Sequence, residues 1–400
     1  MAGVDGSTQR NHGDPWVVVA GGFHDRGGMD KANAALARYL AESGTPLHLV
    51  AHDVAPEFQA LPHVSVHAVP RPVSWDLIGE WLLSLEGRSV ARAVRDSFPG
   101  ATIVVSGGNC SWPDVNWVHS VHHAWPCVDR SAPPWFKAKN HLTKSRARRR
   151  ETQALHAARL VIAHSERTRR DLIHHLGLDA RQIRVVYPGS ELNWGPVNPQ
   201  DRATARAWLG KSVDRPIVVF VGALGHDQNK GFDTLWSAWR ALCALVEWDA
   251  DLVVAGGGRG LMSWRRQVHR EGLSSRVTLL GFTERIRDVL AAADLLVSPV
   301  RYEAYGLNVY EAICRGVPAM VSGRAGIAER YPPTLTEMIL PDPENVRDLT
   351  TRLLSWRSDV GAWRERFAPF SAYLRRRTWS DMARDFMEVV EDARLEPAAR

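Results

Sequence analysis

Cysteine is scarce in this 400-residue chain. Its four cysteines, Cys110, Cys127, Cys243 and Cys314, lie far apart with no C-x-x-C pair, which argues against a disulfide framework or a zinc knuckle and points to a reducing compartment. Long apolar runs are missing too: no uninterrupted stretch approaches the roughly 18 residues that a membrane span needs. Residues Met1 to Pro15 are polar and glycine-rich with no apolar centre, so no signal peptide is expected there and residues 1–14 read as a flexible tail. The expected location is cytoplasmic. Disorder is excluded in turn, because 45% of the residues are hydrophobic and only 24% are charged. A chain of this length exceeds one ordinary core, so two domains are expected.

What charge there is has one sign in one place. The net charge is +6 and the isoelectric point about 9.3, and from Lys137 to Arg150 there are seven Lys or Arg and no acid, beside Trp135 and Phe136. Two readings stand: a solvated helix face, or a surface that rests on an anionic membrane, which would place the protein peripherally at the inner face. No recognisable nucleic-acid module accompanies the patch, so no nucleic-acid partner is expected.

Periodicity supplies the organisation. An apolar strand, Trp16–Ala20, leads through Gly21, Gly22, Gly27 and Gly28 into a helix from Asp30, and Leu47–Val50 reads as the next strand. Strand, glycine-rich loop, helix and strand in that order imply a parallel sheet with ligands at the carboxyl ends of its strands. Further strands are expected at 102–105, 116–119, 160–163 and 184–187. A Pro- and Gly-bearing stretch from Pro188 to Pro199 then reads as an inter-domain hinge. The scheme restarts with strand Ile217–Val221, a loop through Gly222 and Lys230, a helix from about Asp233, strand Leu252–Ala255, Gly256 to Gly258, a further helix, strand Val277–Leu280, helix Ile286–Ala292 and strand Asp294–Ser298. The domains expected are 15–190 and 191–372, with 373–400 as a helix packing back across their boundary.

The densest signal is Ser298 to Ser322, SPVRYEAYGLNVYEAICRGVPAMVS. After the apolar strand, Glu303 falls on a loop; helical spacing resumes behind Gly306 with Leu307, Tyr310 and Ile313 on one face, and Glu311 falls within that helix. Gly316 and Pro318 stop it. The unpaired amides at Gly306, Leu307 and Asn308, with the positive end of the helix dipole, form an anion site suited to a diphosphate. Two carboxylates stand ready there to accept hydrogen bonds from sugar hydroxyls.

With the E-x7-E block, the chain resembles the retaining glycosyltransferases of family 4, of the glycogen-synthase and mannosyltransferase group. The residues carrying the likeness are Gly27 and Gly28, WVHSVHHAW, VVYPGSE, FVGALGHDQNKGFDTL, LVVAGGG and the E-x7-E block followed by GVPAMVS. The resemblance implies an α/β GT-B fold, two Rossmann-like doubly wound domains facing a central cleft. It implies transfer of a hexosyl group from a nucleoside diphosphate sugar, UDP or GDP, to a hydroxyl on a glycan, a lipid-linked acceptor or a metabolite. Glu303 would contact the donor sugar, Lys230 the diphosphate and Glu311 the ribose. Gly306, Leu307, Asn308, Gly222, Gly257 and Phe282 would complete the donor site. His122 would face the sugar or the acceptor, with His119 and His123 flanking it as alternatives, and Gly27 and Gly28 would let the backbone approach phosphate or acceptor. Where many members have an arginine after the glycine matching Gly222, this chain has Ala223, and His226, Arg259 or Arg301 is the expected substitute, Arg301 first. No cofactor and no metal are expected, the sugar nucleotide being a co-substrate.

Several features have competing readings. Asp249 and Asp251 form the D-x-D that binds a metal in other glycosyltransferases, but they precede a strand at the end away from the ligand crevice, so a surface turn is expected. Glycines 256 to 258 lack the full G-x-G-x-x-G order of a dinucleotide fingerprint and fit a place beside the nucleotide base. Trp112, Trp117 and Trp125 are candidates to stack on an acceptor sugar. An epimerase of the same fold, and a binding partner without turnover, are the rival functions.

Overall fold

The structure is a computed structural model that describes residues 13–71, 76–126, 132–191 and 193–395. Most of the expected tail, Cys127, Leu192 in the expected hinge, and residues 396–400 lie outside the described residues. The first half supplies strands β1 (Trp16–Val19), β2 (Gly22–Phe23), β3 (Leu47–Ala51), β4 (Asp53–Val54), β5 (Val64–Ala68), β6 (Thr102–Ser106), β7 (Val115–Val118), β8 (Leu160–Ala163) and β9 (Ile183–Val185). Seven of these form one sheet, ordered β5-β3-β1-β6-β7-β8-β9, and β2 pairs with β4. Helices α1 (Gly28–Glu42), α2 (Asp76–Ser97), α3 (Pro134–Ala157) and α4 (Glu166–Leu176) alternate with them.

The second half supplies β10 (Ile217–Val221), β11 (Asp251–Ala255), β12 (Val277–Gly281), β13 (Leu295–Ser298), β14 (Ala319–Ser322) and β15 (Ile339–Leu340). They form a second sheet, ordered β12-β11-β10-β13-β14-β15. Its helices are α5 (Pro199–Trp208), α6 (Phe232–Cys243), α7 (Leu261–Arg270), α8 (Ile286–Ala292), α9 (Leu307–Cys314), α10 (Val346–Ser358), α11 (Val360–Arg375) and α12 (Trp379–Leu395). The two parallel sheets and their connecting helices are those of a GT-B protein, as expected.

The strands form where the sequence is continuously apolar rather than alternating. β1 reads WVVV and β10 reads IVVFV, and both are buried along nearly their whole length, the mark of central parallel strands covered on both faces. β1 pairs in parallel with β3 and β6, and β10 with β11 and β13.

Contacts divide the chain into two compact units, Met1–Trp117 with Arg150–Ile162 and Met387–Arg400, and Val118–Arg149 with Ala163–Phe386. In the first, α2 lies on the sheet so closely that a Cβ at Gly87 would stand 2.7 Å from a Val19 methyl. Val17, Val19, Ile103, Val105, Leu83 and Val94 form its core. The end of α12 is tied there, with Arg394 donating to Thr102 Oγ1 (2.6 Å) and Arg159 to the Ala393 carbonyl (2.8 Å). In the second, the core runs from Ile217 through Trp239, Val254, Leu296 and Ile313 to Phe367. The start of α12 is held by Trp379 Nε1 donating to Glu191 (3.1 Å) and by the Arg377–Asp385 pair (2.7 Å).

Candidate active site

Chain order places two loops of the second sheet side by side. β10 stands between β11 and β13, so the sheet is wound in both directions from it, and a crevice opens beyond the carboxyl ends of such strands. Gly231 starts α6 with a φ of 73°, and any Cβ there would overlap the carbonyl oxygen of Pro299. That close approach needs glycine. The loops are then stitched together: Arg301 N–H donates to the Asn229 carbonyl (2.8 Å), and Asn229 Nδ2 donates to the Tyr302 carbonyl (2.9 Å). Lys230 and Glu303 form an ion pair as a result, and their side chains stay partly open, at 31% and 23% exposure.

The next turn of chain presents the helix start. Gly306 has a φ of 110° and precedes α9 without a side-chain cap, and the helix carries no acid in its first turn. A Cβ at Gly306 would also meet Ile327 Cγ2 at 3.0 Å. Asn308 Nδ2 donates to the Val221 carbonyl (2.9 Å), which fixes α9 against the end of β10, and Glu311 follows one turn into the helix. Gly222 packs against the Lys230 stem, where a Cβ would stand 3.3 Å away. The loop after β11 leans on the same region: a Cβ at Gly256 would overlap the Gly222 carbonyl oxygen, and Leu224 N–H donates to the Gly257 carbonyl at 2.8 Å. Gly257 faces Phe282, a residue that is 73% exposed.

Two expectations change here. Arg301 is buried, with its guanidinium held by both Asp233 oxygens (2.8 and 2.7 Å), by Glu344 (2.9 Å) and by the Gln228 carbonyl. The side chain points into the protein, so sequence adjacency to Glu303 does not bring its charge to that loop. The D-x-D is no simple surface turn either. Asp251 is 4% exposed, with Lys211, Arg215 and Arg276 within 3.4 to 3.6 Å, and Asp249 pairs with Arg357 at 2.6 Å. Both acids are neutralised by arginine and lysine of neighbouring elements. Among the described residues no three His, Cys, Asp or Glu side chains gather as a metal site needs.

The histidine turn follows β7. His119 meets His164 (Nδ1 to Nε2, 2.7 Å); burial, and then the neighbouring ring, keeps His119 well below the usual imidazole range, and burial pushes His164 down to about 4. His119 is therefore committed to its partner ring. His122 instead lies nearly parallel to Trp125 (6.4 Å, 20°), and Arg148 on α3 pins the turn by donating to the His122 (3.1 Å) and Trp125 (3.3 Å) carbonyls. Of the three tryptophans singled out, Trp117 is wholly buried and Trp112 packs on the core of the first unit. Trp125 alone stands beside His122.

Tyr302 joins this turn to the Glu303 loop, a link that sequence reading missed. Its hydroxyl accepts from Val121 N–H (2.6 Å), its ring lies 6.2 Å from Trp125, and it is 3% exposed. A second missed set sits at the start of α4, where Ser165 and Thr168 hydroxyls both donate to the Ala304 carbonyl (2.8 and 2.9 Å). There Glu329 accepts from the amides of Glu166 and Arg167 and from the Tyr187 hydroxyl, each at 2.8 Å. Ser165 was legible as a helix cap, but nothing local in sequence discloses its second partner.

In the first unit, Gly27 starts α1 with a φ of 86°, again without a side-chain cap. Asp30, in the first turn, covers the glycines: its carboxylate oxygens would stand 3.1 to 3.9 Å from a Cβ at Gly21, Gly22 or Gly27. Burial raises the Asp30 pKa, while His24, 3.8 Å away, acts against that rise.

Comparison with known proteins converges on one family. A model described as Glycosyltransferase Family 4 matches residues 26–194, and one described as Glycosyl transferases group 1 matches residues 215–359. A D-inositol 3-phosphate glycosyltransferase of Rhodococcus jostii is 32% identical over 53% of this chain, and the match spans only 47% of that relative's length. One of Xylanimonas cellulosilytica is 28% identical over 95% of both chains. Among solved structures, sucrose-phosphate synthase from Thermosynechococcus elongatus has a TM-score of 0.74 at 19% identity, over 96% of this chain and 99% of that one. Anabaena Alr3699/HepE in complex with UDP-glucose has a TM-score of 0.66 at 18% identity, over 94% and 99%. At such identities the solved structures speak for the fold alone. With one family model over each half and a GT-B fold throughout, the chain belongs to the family 4 glycosyltransferases.

Proposed function

We propose that this protein transfers a hexosyl group from a UDP- or GDP-sugar to an acceptor hydroxyl with retention of anomeric configuration. The observation that carries the reading is the Lys230–Glu303 pair, left partly open beside the uncapped start of α9. The amides of Gly306, Leu307 and Asn308 and the ammonium of Lys230 hold the diphosphate, and Lys230 offsets the charge that grows on the leaving phosphate. Glu303 accepts from hydroxyls of the donor sugar, Glu311 from the ribose, and Gly257 with Phe282 borders the base. His122 faces the acceptor, and Gly222 leaves room for the phosphate. In the step itself the bond from the anomeric carbon to the phosphate oxygen breaks, the bond to the acceptor oxygen forms on the same face, and the acceptor proton passes to the leaving phosphate.

Charge supplied by Lys230 and the helix start makes a metal unnecessary in this reading, and both D-x-D acids are already paired. The names of the relatives, D-inositol 3-phosphate glycosyltransferases, favour a phosphorylated polyol among metabolite acceptors. Because Asp30 occupies the start of α1, we place acceptor hydroxyls rather than phosphate against Gly27 and Gly28.

The test is a thermal-stability comparison with UDP-, GDP- and ADP-sugars, on the parent and on Lys230→Ala and Glu311→Ala. A ligand at a hundred times its dissociation constant adds about 2.7 kcal/mol. Stabilisation by one nucleotide class, lost in both variants and insensitive to chelator, supports the site and names the donor. Stabilisation by none overturns it. Product from the donor without any acceptor, at enzymic rates, would favour an epimerase.

A further inference from the structure

Helix α3 divides its faces unusually. Its inward side carries Arg148, which pins the His122 turn, and near its start Phe136 stands edge-on to His226 of the loop after β10 (5.0 Å). Its outward side should be purely polar if water were its only neighbour. Instead Trp135 and Leu142, seven residues apart and so on one face, are 64% and 55% exposed. Lys139, Arg146 and Arg149 continue the same row, all exposed, and Lys137 flanks it. The stretch from Lys137 to Arg150 contains no acid of its own, and its last cation, Arg150, turns away to pair with Glu80 (2.6 Å).

We propose that this outward face of α3 docks on an anionic lipid surface, with Trp135 and Leu142 entering the headgroup layer and the cations facing lipid phosphates. Charge complementarity selects the partner: a row of one sign, interleaved with apolar side chains that a soluble polyanion would leave in water, fits an interface that offers both anions and hydrocarbon. The helix lies along the surface rather than through it, since among the described residues no helix is long and apolar enough to cross a membrane. An α-helix is about 10 to 12 Å across with its side chains, so docking would hold the His122 turn within about one helix diameter of the headgroups.

The experiment is co-sedimentation of the full chain with phosphatidylcholine vesicles, with and without phosphatidylglycerol, over a series of salt concentrations. It reads binding without turnover, so it fails or succeeds independently of the transfer reaction. The parent is expected to bind only the anionic vesicles. The Lys139→Gln, Arg146→Gln, Arg149→Gln triple variant should weaken binding about fivefold for each cation removed. Trp135→Ser with Leu142→Ser should abolish the part of the binding that survives high salt. Unchanged melting and unchanged response to sugar nucleotide show that these surface variants are folded. No parental binding to anionic vesicles overturns the proposal. So does equal binding to heparin or duplex DNA that the Trp135→Ser, Leu142→Ser variant retains, which would assign the face to a soluble polyanion.

Discussion

Helices α1 and α9 start alike: each follows a glycine of positive φ, Gly27 at 86° and Gly306 at 110°, and neither glycine brings a side chain to cap the free amides. They differ in who answers the positive helix end. At α1 the chain answers it, placing Asp30 in the first turn with its carboxylate over the glycines and His24 beside it. At α9 the first turn has no acid, and the Glu303 side chain of the Lys230–Glu303 pair comes within 3.8 Å of where a Cβ at Gly306 would stand. In the proposed reading one backbone device thus serves two ends: an acid in the first turn makes a closed structural start, and its absence leaves a start open to an anion. The glycine pattern marks both alike, and the residue three positions later separates them.

The strongest way to break this comparison is at Lys230. Lys230→Ala should lower turnover on the order of a hundredfold or more, since one well-placed group in such a site is worth roughly 3 to 4 kcal/mol of barrier. Initial rates within threefold of the parent would remove α9 from the chemistry.

Acid tests the turn that Tyr302 ties to this loop. His164 is held neutral down to about 4 by burial, and His119 lies well below its ordinary value. The unfolded chain takes up protons near 6.5 that the folded pair refuses, so stability falls as pH drops from 6.5 toward 4, by about 3 kcal/mol for His164 alone. Denaturant titrations along that range should show the loss, and His164→Asn should flatten it. Tyr302→Phe comes next. It strands the buried amide of Val121, at a cost of about 1 to 3 kcal/mol, and should lower transfer while leaving donor affinity near the parent's. Equal loss of donor affinity would make Tyr302 a packing residue only.

The smallest effects sharpen the comparison most directly. Asn308→Asp puts an acid at the start of α9 and removes the tie to Val221, so donor affinity measured by calorimetry should fall about tenfold. Asp30→Asn should leave donor affinity unchanged and shift stability by no more than about 1 kcal/mol. A donor effect from Asp30→Asn as large as that from Asn308→Asp would erase the distinction between the two helix starts.

Much of both sheets was legible because their central strands are unbroken apolar runs. Ile217–Val221, Leu160–Ala163 and Ile286–Ala292 stand where periodicity puts them, and the E-x7-E block gave α9 with its glycine start. What stayed hidden depends on direction or distance. Arg301 adjoins Glu303 in sequence but points to Asp233 and Glu344, and no spacing rule reports which way a loop side chain turns. Asp251 was read as a turn residue ahead of its strand, yet it opens β11 and three cations converge on it from Lys211, Arg215 and Arg276. Tyr302 and Val121 are 181 residues apart, and Ser165 and Ala304 are 139 apart. Hydrogen bonds of that reach leave no local periodicity to read.

The seat of Gly326 has a use beyond description. A Cβ there would overlap the Ala304 carbonyl oxygen and stand 2.5 Å from Ser165 Oγ, so each atom added at position 326 must push the Glu303 loop and the start of α4 apart. Alanine, serine and valine at this position form a graded wedge. Such a series would turn the placement of one carboxylate into an adjustable variable and let transfer rate be plotted against displacement without touching any group that meets the sugar.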